Sequence, residues 1–198
     1  ILLRRYKSFR NFARRHTITL HVMRRLILIV AALITTIAVE AQEVKNIIFL
    51  IGDGMGLTSV SMMQLESHYE ETIFDRADNI ALQKTYSLDN RVTDSAASGT
   101  ALATGAKTNN TVLGQLPDGT PLESLMEVAS AKGKATGVVV TTYVQHATPA
   151  AFYAHVKSRG ENDEITKWFY KSDIDVAFGG GMKYFKRVIE AEKKDFNK

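Results

Sequence analysis

The sequence predicts an α/β fold in which a mostly parallel central sheet is flanked by helices. Two observations carry this prediction: strand-like and helix-like segments alternate along residues 42–198, and glycine-rich or polar motifs follow the strand-like segments. Such alternation is typical of parallel sheets, whose functional residues gather at the carboxyl ends of the strands. The 157 residues from position 42 onward are enough for one domain with a hydrophobic core.

Four segments form the first half of this pattern. KNIIFLIG (45–52) is an apolar run that ends in glycine and predicts a buried strand, and LTSVSMMQLESHYE (57–70) has helical spacing. IALQKTYSL (80–88) is a candidate strand. A helix of small residues is expected from Ser95 to Ala103.

The second half follows a polar loop and continues the alternation. LESLMEVASAKG (122–133) predicts a helix that glycine ends, and the β-branched ATGVVVTT (135–142) predicts a strand. PAAFYAHVKSRG (149–160) predicts a helix with proline in its first turn. DIDVAFGGG (173–181) predicts a short strand, and a charged helix is expected after it.

The N-terminal region has the pattern of a secretory leader. In residues 23–41, Met23 and two arginines precede a largely apolar run from Leu26 to Ala38, and Val39 and Ala41 then stand at the positions that a signal peptidase reads. The alternative is a transmembrane anchor, but the run of 13 residues is shorter than the roughly 20 that span a bilayer. We expect 23–41 to be a signal peptide and 1–22 to be an upstream extension without function.

The charge balance argues against nucleic acid as a partner. Eight of the 25 lysines and arginines lie in residues 1–41 against one acid, so residues 42–198 carry 17 bases and 20 acids. A basic face is therefore not expected after the leader. The chain has no cysteine, so any metal site must use oxygen and imidazole ligands.

The first chemical motif follows the first predicted strand. Asp53 stands between Gly52 and Gly54 in the stretch LIGDGMG, where glycines permit a sharp turn and leave the carboxylate uncovered. The spacing differs from the dinucleotide-binding fingerprint. A plain turn with Asp53 as a helix cap remains an equally good interpretation.

The second motif is VTDSAASGTALATG, residues 92–105. Asp94 and Ser95 stand at a predicted helix start, which favours anions, and the small residues allow close packing against a neighbour. Ser95 is a candidate nucleophile, although the G-x-S-x-G motif of serine hydrolases is absent. The alternative is that the motif is only a capped helix with closely packed small residues.

The third motif, VQHATPAAFYAHVKSR, places polar residues after the next strand. His146 and Thr148 precede a predicted helix, and Arg159 lies at the end of that helix. The planar guanidinium group of arginine suits a phosphate or a carboxylate. Taken singly, these residues fit a loop, a helix cap and a solvated helix end. A single site is indicated because a carboxylate, a serine, a second hydroxyl and an arginine follow successive predicted strands in order.

Four motifs together resemble the N-terminal part of an alkaline phosphatase. IIFLIGDGMG, VTDSAASGTALATGAKT, VQHATPAAFYAHVKSR and DVAFGGG cover nearly all of residues 44–185 in the order and spacing of that family. The resemblance implies a three-layer α/β sandwich and an exported, periplasmic or extracellular enzyme. It also implies hydrolysis of small phosphate monoesters with two zinc ions and one magnesium, by a homodimer when complete.

The resemblance also implies roles for individual residues. Ser95 would be the nucleophile that becomes phosphoserine and would bind one zinc, while Asp53 would bridge that zinc and the magnesium. Thr148 would bind magnesium, and Arg159, oriented by Asp94, would hold the phosphoryl oxygens.

His146 is a departure within the motif that implies these roles, because some family members carry aspartate there. We therefore expect His146 to reach magnesium through water, with the ion held less tightly.

A further expectation concerns the zinc ligands. The chain has five histidines, at positions 16, 21, 68, 146 and 155, whereas each zinc needs three or four protein ligands. We therefore expect residues 42–198 to be the N-terminal portion of a catalytic domain, inactive alone without its C-terminal portion. The alternatives are a related metal-dependent phosphodiesterase and a non-catalytic phosphate-binding envelope protein; a stable membrane anchor is not expected.

Overall fold

The sheet in the described part of the chain is a pair of parallel strands, β1 (Gly137–Tyr143) and β2 (Val176–Gly180). The structure is a computed structural model that describes residues 44–196. The register pairs Gly137 with Val176 and is interrupted between Val139 and Tyr143. Parallel strands joined through helices confirm the predicted α/β class.

Six helices accompany these strands in the described part of the chain. They are α1 (Leu57–Glu66), α2 (Ser95–Thr104), α3 (Leu125–Ala131), α4 (Ala147–Ala150), α5 (Asn162–Lys171) and α6 (Met182–Phe196). Three helices precede β1, two lie between the strands and one follows β2. None of the described helices is long and apolar enough to cross a membrane. The predicted signal peptide at 23–41 and the extension at 1–22 lie outside the described residues.

Local sequence accounts for the ends of α2 and α3. Ser124 accepts a hydrogen bond from the Glu127 amide while the Glu127 carboxylate accepts one from the Ser124 amide, which is a capping box. Asp94 caps the start of α2, and Gly105 ends it with φ 75°, a value that glycine adopts without strain. Helix α2 agrees with the prediction to one residue, whereas α3 begins three residues later than the predicted start at Leu122.

Small residues let α2 pack closely against α4 and the turn after it. A Cβ added at Gly99 would lie 3.1 Å from the Cβ of Ala151, which is tighter than ordinary packing. Ala96 and Ala150 are fully buried in the same core cluster. The close approach explains why VTDSAASGTALATG contains so few large side chains.

Aliphatic residues and Tyr153 complete the core, and the partly buried rings of Trp168 and Phe169 pack against it. The Tyr153 side chain is buried, and its hydroxyl donates a hydrogen bond to the carbonyl oxygen of Val144 at 2.7 Å. The Phe169 ring packs edge-on against Tyr153, with ring centroids 5.5 Å apart. The core thus lies between the end of β1 and α5.

Two predicted strands are absent from the structure. Residues 45–50 belong to a separate unit of the chain, adopt no regular secondary structure and leave Ile48 and Leu50 exposed. Residues 80–88 also form no strand. An apolar segment becomes a strand only when a neighbouring strand accepts its hydrogen bonds, and the sheet in residues 44–196 contains β1 and β2 alone.

The helix predicted over 149–160 is much shorter than expected. Helix α4 ends at Ala150 because the next amides, of Phe152 and Tyr153, donate to carbonyls three residues back, which tightens the turn. Val156 then exchanges backbone hydrogen bonds with Leu113 in an antiparallel bridge.

Helix α5 was not expected from the sequence. The sequence nevertheless contains a charge pattern that favours a helix here. Asp163 and Glu164 lie in the first turn and Lys171 lies in the last, where they complement the helix dipole.

We expect Tyr153→Phe to lower the free energy of unfolding by about 1 to 2 kcal/mol, because the buried carbonyl of Val144 loses its donor. Urea denaturation followed by circular dichroism measures this change. Tyr143→Phe is the matched control, since the Tyr143 hydroxyl makes no hydrogen bond within the described residues. Equal losses in the two variants would contradict the role given to the Tyr153 hydroxyl.

Candidate active site

The carboxylate of Asp53 accepts hydrogen bonds from two hydroxyl groups that are distant in the sequence. Ser95 Oγ donates to Asp53 Oδ1 at 3.0 Å, and Thr148 Oγ1 donates to Asp53 Oδ2 at 2.7 Å. Asp53 lies in a glycine-rich turn in which Gly54 has φ 71°, a conformation that suits glycine. Three predicted site residues therefore meet at one carboxylate.

Asp94 connects the start of α2 to a loop and to an arginine. Its Oδ1 accepts from the Ala97 amide at 2.9 Å, which caps the helix. Its Oδ2 accepts from the Thr111 amide at 3.2 Å and from Arg159 Nη1 at 3.1 Å. Both carboxylate oxygens of Asp94 are thus engaged directly beside Ser95.

Arg159 contacts His146 as well as Asp94. Its Nη2 donates to Nε2 of His146 at 3.2 Å. The imidazole also packs edge-on against Tyr143, with ring centroids 5.3 Å apart. An arginine nitrogen always donates, so His146 Nε2 is the acceptor and a neutral ring carries its proton on Nδ1.

The charges around this site favour a neutral imidazole and an ionised carboxylate. Burial lowers the pKa of His146, the Arg159 guanidinium lowers it further, and Asp53 opposes the change. The hydrogen bond from Thr148 lowers the pKa of Asp53; burial opposes this, and Ser95, His146 and Arg159 reinforce it. Asp53 is therefore a carboxylate at neutral pH.

The oxygen atoms around Asp53 fit magnesium better than zinc. One carboxylate and the hydroxyls of Ser95 and Thr148 form an all-oxygen set, and magnesium is commonly bound by one or two carboxylates together with water. Among residues 44–196, no group of three or more histidine, cysteine, aspartate or glutamate side chains could hold a metal ion. The described residues alone therefore do not complete a zinc site.

The structure brings the six predicted site residues into two adjoining groups. Asp53, Ser95 and Thr148 form one group; Asp94, Arg159 and His146 form the other, joined to the first by the Asp94–Ser95 peptide. His146 contacts Arg159 through Nε2, and its expected water-mediated contact with magnesium stays a prediction.

Two further contact residues, Asn110 and Thr111, did not emerge from the sequence. Both hydrogen-bond to Asp94. Their stretch, NNT, is the pattern of a glycosylation acceptor in an exposed loop, and it gave no indication of these contacts.

Residues 44–197 match the family model for alkaline phosphatase. The chain belongs to the alkaline phosphatase family. It is 38% identical over 171 residues to alkaline phosphatase 4 of Bacillus subtilis (strain 168), which covers 79% of this chain and 37% of the relative. It is also 38% identical over 178 residues to an alkaline phosphatase of Escherichia fergusonii, which covers 76% of this chain and 38% of the relative.

Solved structures support the alkaline-phosphatase-like fold expected from the sequence. A cold-active alkaline phosphatase from a psychrophilic Shewanella superposes with a TM-score of 0.66 at 42% identity, covering 71% of this chain and 37% of that one. The alkaline phosphatase of the Antarctic bacterium TAB5 superposes with a TM-score of 0.65 at 40% identity, covering 68% of this chain and 39% of that one.

A TAB5 variant in which aspartate replaces a histidine, with magnesium bound, superposes with a TM-score of 0.65 at 39% identity, covering 68% of this chain and 39% of that one. The chain thus spans only 37% to 39% of the length of these relatives and solved structures.

We expect Asp94→Ala to lower the free energy of unfolding by about 1 to 2 kcal/mol, because α2 loses its cap. Asp94→Ser retains a capping oxygen but is too short to reach Arg159, so it should recover most of that loss. Urea denaturation of both variants measures the difference. If the serine and alanine variants were equally destabilised, the cap would not be the source of the effect.

Proposed function

We propose that this chain carries the nucleophile and the phosphate clamp of a phosphomonoester hydrolase that works through a phosphoserine intermediate. The observation that carries the proposal is the position of Ser95. It is the first residue of α2, its hydroxyl contacts Asp53, and the preceding residue, Asp94, holds Arg159. Membership in the alkaline phosphatase family supports the same reaction class.

Ser95 is placed to attack phosphorus. Its hydroxyl donates to the Asp53 carboxylate, which fixes the direction of the oxygen lone pairs. The start of the ten-residue helix α2 favours the negative charge that develops on the attacking oxygen. Attack forms the bond between Ser95 Oγ and phosphorus and breaks the ester bond; Ser95 gives up its hydroxyl proton to solvent, and the leaving alkoxide takes up a proton from solvent. Water then cleaves the phosphoserine, which releases inorganic phosphate and restores the hydroxyl.

Arg159 supplies the positive charge that a phosphate dianion needs. Its planar guanidinium can donate two parallel hydrogen bonds to the oxygens that do not react. Asp94 accepts from Nη1 and the neutral His146 accepts from Nη2, so both sides of the fork are oriented. The charge on the equatorial oxygens is then balanced as the phosphoryl group transfers.

Asp53 and Thr148 are the residues that would hold magnesium, with Ser95 on the other side of the same carboxylate. Two zinc ions and one magnesium are the metals that we propose for the complete site. When bound, such ions supply Lewis acidity that activates a serine hydroxyl and stabilises the attacking and leaving oxygens.

The described residues supply too few imidazole and carboxylate ligands for two zinc ions. We therefore also propose that the zinc sites are completed by residues outside those described, and that the 198-residue chain is inactive alone.

The location and partners of the protein are part of the same proposal. The leader pattern at 23–41 supports export to the periplasm or the medium. The excess of acids after position 41 argues against nucleic acid. We propose small phosphomonoesters as substrates and a homodimer as the complete enzyme.

Hydrolysis of nitrophenyl phosphate, with zinc and magnesium added, tests the proposal. The assay compares the 198-residue chain with the whole open reading frame that contains it. We expect turnover only from the protein encoded by the whole open reading frame. In that protein Ser95→Ala should lower kcat by at least about a thousandfold, since no other hydroxyl replaces the nucleophile.

Ser98→Ala is the matched control, because Ser98 lies one turn further along α2 and bonds only to the backbone of Asp94. Its kcat should stay within about threefold of the parent. Turnover by the 198-residue chain would refute its inactivity. Activity that survives Ser95→Ala would refute the phosphoserine mechanism, and a preference for bis(nitrophenyl) phosphate would favour a phosphodiesterase.

A further inference from the structure

We propose that Asn110 and Thr111 form a positioning element, here named the 110–111 clasp, that fixes Arg159 beside Asp94. The inference rests on the proposed function, because the value of this position depends on Arg159 binding phosphate. Neither residue touches the reacting atoms. Each acts through Asp94 or Arg159.

Asn110 binds the segment that leads into Ser95. Its side-chain Oδ1 accepts from the Asp94 amide at 3.0 Å, and its Nδ2 donates to the carbonyl oxygen of Val92 at 2.9 Å. Its own amide donates to Asp89 Oδ1 at 2.9 Å. An asparagine amide both accepts and donates, so one side chain holds two backbone positions that lie two residues apart.

Thr111 connects the same segment to Arg159. Its amide donates to Asp94 Oδ2 at 3.2 Å, and its carbonyl oxygen accepts from the Arg159 amide at 2.7 Å. The arginine is therefore held twice, through its backbone by Thr111 and through its guanidinium by Asp94. Both attachments depend on the clasp.

The backbone of Thr111 is in an unusual conformation. Its φ of 73° lies in the left-handed region, which a β-branched residue rarely adopts. Such a conformation persists when surrounding contacts determine it. The contacts here are the Asp94 and Arg159 bonds of Thr111 itself and the three hydrogen bonds of Asn110.

An antiparallel bridge next to the 110–111 clasp links its loop to the segment that ends at Arg159. Leu113 and Val156 exchange two backbone hydrogen bonds, each of 3.0 Å. The loop that contains the clasp and the segment that ends at Arg159 therefore run side by side. A shift of Asn110 would be transmitted to Arg159 through these paired backbones.

Two measurements on the 198-residue chain test the clasp: amide hydrogen exchange by NMR and titration with inorganic phosphate by calorimetry. In Asn110→Ala we expect exchange at the Arg159 amide to accelerate by about tenfold or more, while the amides of α5 keep their rates. The dissociation constant for phosphate should rise about tenfold.

Two variants sharpen the comparison. Asn109→Ala is the matched control, because the side chain of Asn109 makes no hydrogen bond within the described residues. It should leave both measurements unchanged. Thr111→Gly keeps both backbone bonds and adopts φ 73° without strain, so it should retain the Arg159 exchange rate and the phosphate affinity.

The outcomes separate the clasp from the proposed function. Equal behaviour of Asn110→Ala and Asn109→Ala would overturn the clasp, and so would faster exchange throughout the chain, α5 included, because that would mark a general loss of stability. If the parent chain bound no phosphate while exchange at Arg159 still accelerated only in Asn110→Ala, the clasp would stand and the phosphate clamp of the proposed function would fall.

Discussion

The carboxylate of Asp94 is the interaction on which the rest of the site depends. One oxygen caps α2, and the other accepts from the Thr111 amide and the Arg159 guanidinium. The pair with Arg159 is partly exposed, with 29% of the arginine and 23% of the aspartate side chain accessible, so its contribution to stability is modest. Its importance is geometric, because the helix start, the loop and the arginine cannot be positioned independently of one another.

The position of Ser95 follows from this arrangement. A residue that begins a helix has its orientation set by the cap before it, and here the cap also holds the cation. Ser95, Arg159 and the Asp53 carboxylate thereby meet from three distant segments, and no histidine among the described residues hydrogen-bonds to Ser95. Such a site must obtain its activation from charge, which agrees with the oxygen-rich surroundings of Asp53 and with the metals that the family resemblance implies.

Structural features that depend on residues close in the sequence were predicted correctly. Features that depend on partners far away in the sequence were not. The helix start at Asp94 and Ser95 and the two strands β1 and β2 were correctly predicted, and the six candidate site residues form two adjoining groups. The strand expected over 45–52 is missing because strands require partners. The long helix predicted over 149–160 ends at Ala150, and the chain then bridges from Val156 to Leu113. Asn110 was missed because its partner Asp94 lies 16 residues away in the chain.

A crystal structure of Asp94→Ala, compared with that of the unchanged chain, tests the central role of Asp94 most directly. We expect Arg159 Nη2 to leave its position 3.2 Å from His146 Nε2 and Ser95 Oγ to move from its 3.0 Å contact with Asp53. If both contacts were retained without the Asp94 carboxylate, Ser95 and Arg159 would be positioned by other parts of the fold, and Asp94 would not have the central role given to it.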